Sequence, residues 1–367
     1  RTNKRIQVDD WYFPDLTAES AEPGPATNIR GRYSVHFHRG GVTPTSLPAR
    51  VEGCVVEDNP GWAYVNHSST VDFINNVSYD VVGGAFQTEA GDEQGSFVGN
   101  IAIRTINPDY PIENPETAPV DIRESSQDFA FQGDGFWIHG GGIRLEDNVA
   151  TGSSGHGFIF WTEGLREEGT AFDEMNRFMT ENIPNGEMLT VDSVNAWWVP
   201  VAGFTENQAY TSNRGLALYY IHTTLFEDIH DLTPAYLETV HSTFENLKIW
   251  NVGQMGIHIE NSTRFTFRDV HIVNNNSDAI GIHTRSTVGD RTIWDNISVS
   301  GFETGMVVPT QGDVTIRGGT WSNYTDFYIV PPQFEPGRQG DNRDLLIEDV
   351  TFEPMPAMPV TAMNVKL

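Results

Sequence analysis

The run Arg32-Tyr-Ser-Val-His36-Phe-His38-Arg39-Gly40 places two histidines two residues apart among β-branched and aromatic residues. Side chains alternate across a strand, so both imidazoles point to one side. Segments of like pattern follow as Ala63-Tyr-Val-Asn-His67, Ala85-Phe-Gln-Thr-Glu89 and Phe136-Trp-Ile-His139. With Val35, Phe37, Phe86, Phe136 and Ile138 turned inward, alternation sends His36, His38, His67, Glu89 and His139 outward. If the segments stack, these residues form a column. Stacked strands lie about 4.8 Å apart, so side chains on adjacent rungs can share one ion. The predicted ligand set is therefore His36, His38, His67 and Glu89. Imidazole and carboxylate suit a divalent transition metal (Zn, Cu, Fe, Ni or Mn), with calcium second because it prefers an all-oxygen shell. An open position on such an ion would bind a water and lower its pKa. His139 and Glu93 are the candidate acid and base beside it.

The elements that must hold this column recur along the chain. A short motif ends in a turn residue at Cys54, Asn76, Asn100, Asn148, Asn207, Asn246, Asp269, Asn296 and Gly319, with a variant copy at Asp349. Cys54, Asn76 and Asn100 are 22 and 24 residues apart, and Asn246, Asp269 and Asn296 are 23 and 27 apart. One turn of a parallel β-helix needs about that many residues, whereas βαβ units are longer and carry helical periodicity. Between copies lies a second strand with a glycine in front, as in Gly135-Phe-Trp-Ile-His139, Gly157-Phe-Ile-Phe-Trp161 and Gly256-Ile-His-Ile-Glu260. The pattern predicts an all-β protein, a single right-handed parallel β-helix of roughly ten rungs spanning residues 1–367. The asparagines would sit inside the turns and hydrogen-bond their copies above and below.

Three insertions, at about 105–132, 164–196 and 223–241, would emerge on the sides of the coil. Helical spacing occurs once, over Thr170 to Asn182, where Phe172, Met175, Phe178 and Met179 recur. A second stacked pair, His258 and His283 with Glu260 and Arg285 beside it, reads as a solvated ladder, and His156 reads as a turn residue capping backbone groups.

Composition bounds the function. Asp and Glu number 50 against 22 Lys and Arg, a net charge of −28, which makes nucleic acid a poor partner because phosphate binding needs a basic footprint. Such a surface suits a salty or marine extracellular setting, or divalent-cation binding. Cys54 is the single cysteine, so no intrachain disulfide forms. No apolar run is long enough for a transmembrane helix. The chain opens on Arg1-Thr-Asn-Lys-Arg-Ile without an initiator Met, which predicts processing or a fragment of a longer chain. The sequence leaves the oligomeric state open.

Aromatic residues line up with the predicted column at Trp137, Trp161 and Tyr219, and sugar rings stack on exposed aromatics in a groove. The alternative is that the insertions cover them as core. Arg30, Arg32 and Arg39, flanking the histidine strand, would offset the acidic surface for an anionic sugar. Asp92, Asp134 and Glu163 are further candidate carboxyl groups, and a polysaccharide hydrolase needs two at a defined separation.

Gly31-Arg-Tyr-Ser-Val-His36-Phe-His38, the rung ending in His67, and Gly83-Gly84-Ala-Phe-Gln-Thr-Glu89-Ala-Gly-Asp-Glu93 together carry a family likeness. They resemble the β-helix region of the family of cell-migration-inducing hyaluronan-depolymerising proteins and fibrocystin. That family carries Gly-Arg-Tyr-Pro-(Ile/Val)-His-Phe-His, an Ile-His-Gly strand and Gly-Gly-Ala-Phe-Phe-(Ile/Leu)-Glu-Asp-Gly. The likeness covers roughly residues 28–165; here Ser34 replaces the proline, Asn66-His67-Ser68 the Ile-His-Gly strand, and Ala90 the aspartate after the glutamate. The resemblance implies a β-helix fold, an extracellular glycan-related role and importance for His36, His38, His67 and Glu89.

The combined expectation is a secreted, extracellular or periplasmic metal-binding β-helix that acts on a polysaccharide by lyase or hydrolase chemistry. A glycan-binding or adhesion module in which the ion is structural is the alternative from another class, and a redox metal centre a third.

Overall fold

The structure is a computed structural model that describes residues 33–59, 61–106, 130, 132–162, 177–223, 229, 232–275, 278–285, 290–309, 312–329, 343–355 and 361–365. Within them the chain winds into one 28-stranded sheet, in which each strand pairs in parallel with the equivalent strand of the next turn. This is a parallel β-helix, as the repeat predicts. One face stacks Val35–Gly41, Tyr64–Ile74, Phe86–Thr88, Phe136–Ile138, His156–Trp161, Arg214–Tyr219, Met255–Glu260, Ile280–Arg285, Thr304–Val307, Thr325–Ile329 and Thr361–Val365.

The core follows from alternation. Tyr64, Phe86, Phe136 and Phe158 share one inward position and are fully buried, with successive ring centroids 4.7, 4.9 and 4.7 Å apart and planes nearly parallel. Identical spacing on each rung lets aromatic rings stack along the axis, and this continuity fixes the register of everything on the opposite face. A slip of one residue would bury the histidines and expose the phenylalanines.

The asparagine ladder is present but shorter than the motif suggests. Cys54 N–H donates to Asn76 Oδ1 (3.0 Å), and the backbone and side-chain amides of Asn76, Asn100 and Asn148 each donate to the next asparagine's Oδ1 at 3.0–3.1 Å, ending on Asn207. Asn246, Asp269 and Asn296 do not continue it. Register pairs Thr205 with Glu245, so Asn207 aligns with Leu247, and the buried Val270 and Ile297 follow. Asn246, Asp269 and Asn296 lie one place earlier, with φ of 54°, 54° and 56°. Short polar side chains tolerate that left-handed bend, which accounts for Asn and Asp there; Asn296 Nδ2 also donates to Asp269 Oδ1 (2.6 Å), an exposed pair outside the buried ladder.

The helix expected over Thr170–Asn182 falls partly outside the described residues. Where described, it is not an α-helix: Arg177–Met179 is a strand paired antiparallel with Ser193–Asn195, followed by a 3-10 turn at Thr180–Asn182. Phe178 anchors it in a satellite core with Val194, Trp198 and Tyr236, so burial of one aromatic outweighs the helical spacing. The one α-helix among the described residues is Pro234–Thr239, capped by the Thr233 side chain, which accepts from Tyr236 N–H. No described helix is long and apolar enough to cross a membrane.

Candidate metal centre

The first turns of the coil bring the chemistry together. His36 and His38 stand on Val35–Gly41, and register places His38 opposite His67. Arg39 (φ 54°) and Ser68 (φ 46°) follow those histidines in the left-handed region, so both strands bend immediately after the imidazole and their register shifts between His38 and Gly41. The glutamate comes from the turn after the short strand Phe86–Thr88, whose register with Tyr64–Asn66 sets Glu89 beside His67.

One donor atom each from His36, His67 and Glu89 lie within 4.8 Å of one another. His67 Nδ1 is 2.8 Å from Glu89 Oε2, and His36 Nε2 is 3.9 Å from the same oxygen. Donors of one first-row ion lie at roughly 2.0–2.2 Å from it, hence up to about 4.4 Å from each other. The separations within the set, all inside 4.8 Å, are close to that span. His38 is not in this triad. It is exposed, with its ring centroid 4.5 Å from that of His67 and 5.4 Å from that of His36, so it flanks the cluster.

The electrostatics separate the two triad imidazoles. Burial lowers the His36 pKa, and the neighbouring His38 and His67 add to that against the pull of Glu89. For His67 burial also acts downward, but the hydrogen bond and charge of Glu89, with the charge of Glu93, outweigh it and the pKa is raised.

Glu93 holds the Glu89 turn in place. Its carboxylate is buried and accepts backbone N–H bonds from Ser68 (3.1 Å), Glu89 (3.0 Å), Ala90 (2.5 Å) and Gly91 (2.8 Å). Gly91 has a φ of 93°, a conformation that favours glycine. Burial, then the charge of Asp92, push the Glu93 carboxyl up to about 7 against those amide bonds. Asp92 is itself raised by burial. Glu93 thus spans two rungs as a backbone clamp.

The other predicted residues sit as follows. Arg39 is exposed beside the cluster. His139 is 1% exposed, stacked on Trp137 at 5.2 Å, and its backbone N–H donates to Thr88 Oγ1 (2.7 Å). Trp137 and Tyr219 are buried in a second apolar cluster with Val65, Ile159 and Ala217, and Trp161 packs against it. Val65, Gln87, Trp137, Ile159 and Ala217 continue the His36 column rung by rung, so the outward face beyond the cluster is itself packed. Trp137 and Tyr219 present no open aromatic face. Arg30, Arg32 and Glu163 lie outside the described residues.

Two expectations are corrected. His156 is not a turn cap but a strand residue, 1% exposed, whose Nδ1 lies 2.8 Å from Asp134 Oδ1. His258 and His283 are not a solvated ladder: His258 is 4% exposed, their Nδ1 atoms are 3.1 Å apart, and His258 Nε2 lies 3.4 Å from Glu260. Sequence reasoning also passed over Arg214, which joins these groups; its signal was register with His156 across the insertion at 164–196.

A family model described as CEMIP beta-helix matches residues 19–216, more than half of the chain, and this span includes the whole histidine–glutamate cluster. The chain belongs to the CEMIP beta-helix family. Fibrocystin-L of Mus musculus is 24% identical over 260 residues, covering 70% of this chain but 5% of fibrocystin-L. The family likeness therefore bears on this chain as a β-helix region, and the fold of the CEMIP beta-helix is the parallel coil described above.

Proposed function

We propose that this CEMIP beta-helix chain binds one divalent transition metal and acts on an extracellular polysaccharide. The observation that carries the reading is the convergence of His36, His67 and Glu89 donors within 4.8 Å from three successive rungs. The donor set, two imidazoles and a carboxylate, suits Zn, Cu, Fe, Ni or Mn better than calcium. A bound ion there would act as a Lewis acid on a carboxyl or glycosidic oxygen, or activate a water. His36, His67 and Glu89 hold it. Exposed His38, beside the triad, is placed to take or give a proton at the open side. Arg39 offers a charge to an anionic sugar. Glu93 serves by fixing the Glu89 turn, since its oxygens are occupied by backbone amides. His139 is too buried for proton transfer to a polymer.

Elemental analysis of tag-free protein tests the site, alongside a His36→Ala, His67→Ala double variant. About one equivalent of a transition metal in the wild type, lost in the variant, is the expected result. Incubation with uronic-acid polysaccharides tests the activity, with new ultraviolet absorbance for β-elimination or new reducing ends alone for hydrolysis. A structural-ion reading has one observation in its favour: the ligands come from separate rungs, so an ion would tie them together. On that reading, chelation lowers the melting temperature and no substrate is cleaved.

A further inference from the structure

A second pair of imidazoles stands on the same face of the coil, beyond the residues that the family model matches. His258 lies on Met255–Glu260 and His283 on Ile280–Arg285, and register sets the two opposite each other on adjacent rungs. Both continue the column that runs from His36 through Val65, Gln87, Trp137, Ile159 and Ala217. Glu260 stands in the neighbouring column, opposite Tyr219 on one rung and Arg285 on the next. Two imidazoles and a carboxylate thus recur on this face, on the far side of the packed aromatic block.

The geometry differs from that of the triad and is that of a two-nitrogen site. The rings stack with centroids 5.2 Å apart and planes 15° from parallel, and the two Nδ1 atoms face each other at 3.1 Å. Only one proton fits between them. His258 Nε2 lies 3.4 Å from Glu260 Oε2, and an ionised carboxylate only accepts. In the neutral ring the His258 proton is therefore on Nε2, and Nδ1 presents a lone pair. His283 supplies the shared proton from its own Nδ1.

An ion can take that proton's place. With each nitrogen about 2.0–2.1 Å from a first-row metal, a separation of 3.1 Å subtends about 100° at the ion, between the square-planar and tetrahedral angles. His283 then carries its proton on Nε2. A histidine that ligates through one nitrogen while donating its other N–H to a carboxylate is the usual arrangement at metal sites, and Glu260 stands where that carboxylate belongs. Burial favours the uncharged rings that ligation requires: it lowers the His258 pKa and, with the charges of His258 and Arg285, takes that of His283 to about 4. His283 is only half-buried, which leaves an approach for the ion from its side.

We propose that His258 and His283 bind one transition-metal ion, of the Cu(II), Ni(II) or Zn(II) class, through their Nδ1 atoms, with Glu260 orienting His258. The site stands independently of the centre at His36, His67 and Glu89. With two protein ligands in place of three it is the weaker, so protein as purified holds metal at the triad and fills this pair only on titration.

Calorimetric titration of the full chain with Cu(II) tests it, with electron paramagnetic resonance to count the bound nitrogens. The His36→Ala, His67→Ala double variant, which lacks the triad, is expected to bind one equivalent of Cu(II) with splitting from two nitrogens. Adding His283→Gln should weaken that binding at least tenfold and remove one nitrogen from the signal. Adding Glu260→Gln in its place should weaken it about tenfold with both nitrogens retained. Should the His283→Gln chain fail to fold, judged by far-ultraviolet circular dichroism, the Glu260→Gln chain carries the test. Absence of a stoichiometric Cu(II) site in the double variant overturns the proposal, as does unchanged affinity in the variant that folds. Wild type is expected to take up two equivalents. A single equivalent that survives in the double variant would instead sink the triad and leave this site standing.

Discussion

His67 Nδ1 stands 2.8 Å from Glu89 Oε2 across one rung of the coil, with 12% and 13% of the two side chains exposed. Both partners come from neighbouring turns, so the contact exists only when the coil is in register. In the absence of metal, His67→Ala leaves the Glu89 carboxylate without its imidazole. The expected loss of stability is about 1–3 kcal/mol, read as a lower urea midpoint. In the presence of metal the loss should be larger, because binding to the native state adds to stability. Equal losses with and without metal would argue against His67 as a ligand.

Glu93 makes no direct contact with the triad ligands' side-chain donors, yet it holds the Glu89 turn through four backbone amides. Glu93→Gln replaces one oxygen by a donor that faces a donor. Metal affinity is expected to fall roughly 10–100-fold while stoichiometry stays at one equivalent. Glu89→Gln, by contrast, should abolish stoichiometric binding. Competition against a chromogenic chelator distinguishes weakened from absent binding.

How much of this was legible in the sequence depends on which link is asked about. Alternation of Val35, His36, Phe37 and His38 reported which side each residue faces, because period two is a local property. Stacking of that strand on Ala63–His67 and Ala85–Glu89 was legible because the like patterns recur at close spacing, with Val35, Tyr64 and Phe86 29 and 22 residues apart. Three properties were not legible. His38 and His36 face the same way, and only the approach of Glu89 to His36 Nε2 selects between them. Trp137 and Tyr219 were visible as outward-facing, but their burial depends on packing against Trp62, Val65 and Ile159 from other rungs. The role of Arg214 hangs on a pairing with His156 across 58 residues.

The change of ladder partner makes a further contrast. Asn148 Oδ1 accepts from both amides of Asn100, and its own Nδ2 donates to Phe97 O (2.7 Å) and Asn207 Oδ1 (3.0 Å). Asn148→Ala strands several buried polar groups at once, so a loss of about 3 kcal/mol or more is expected, with an unchanged denaturant slope if unfolding stays two-state. Asn246→Gly should be nearly neutral, because that position needs a left-handed residue (φ 54°) rather than a ladder partner. Chemical denaturation of the two variants side by side decides it.

His222 gives the fold an acid-sensitive element away from both sites. It is fully buried, with Nε2 2.8 Å from Ser242 Oγ and Nδ1 3.1 Å from Trp197 O, and burial lowers its pKa to about 3. In the unfolded chain it titrates near 6.5. Its contribution to stability is therefore fully present above about pH 6.5 and is lost as the pH falls toward 3, because the unfolded state binds the proton first. Between pH 7.5 and pH 5 the expected loss from this residue is about 2 kcal/mol. Glu93 acts in the opposite sense, since a carboxyl raised to about 7 favours the folded state at lower pH. The informative quantity is thus the difference between wild type and His222→Gln. The variant should start less stable at pH 7.5 and lose about 2 kcal/mol less on going to pH 5. Parallel stability profiles for the two proteins would mean that His222 takes up its proton in the native state.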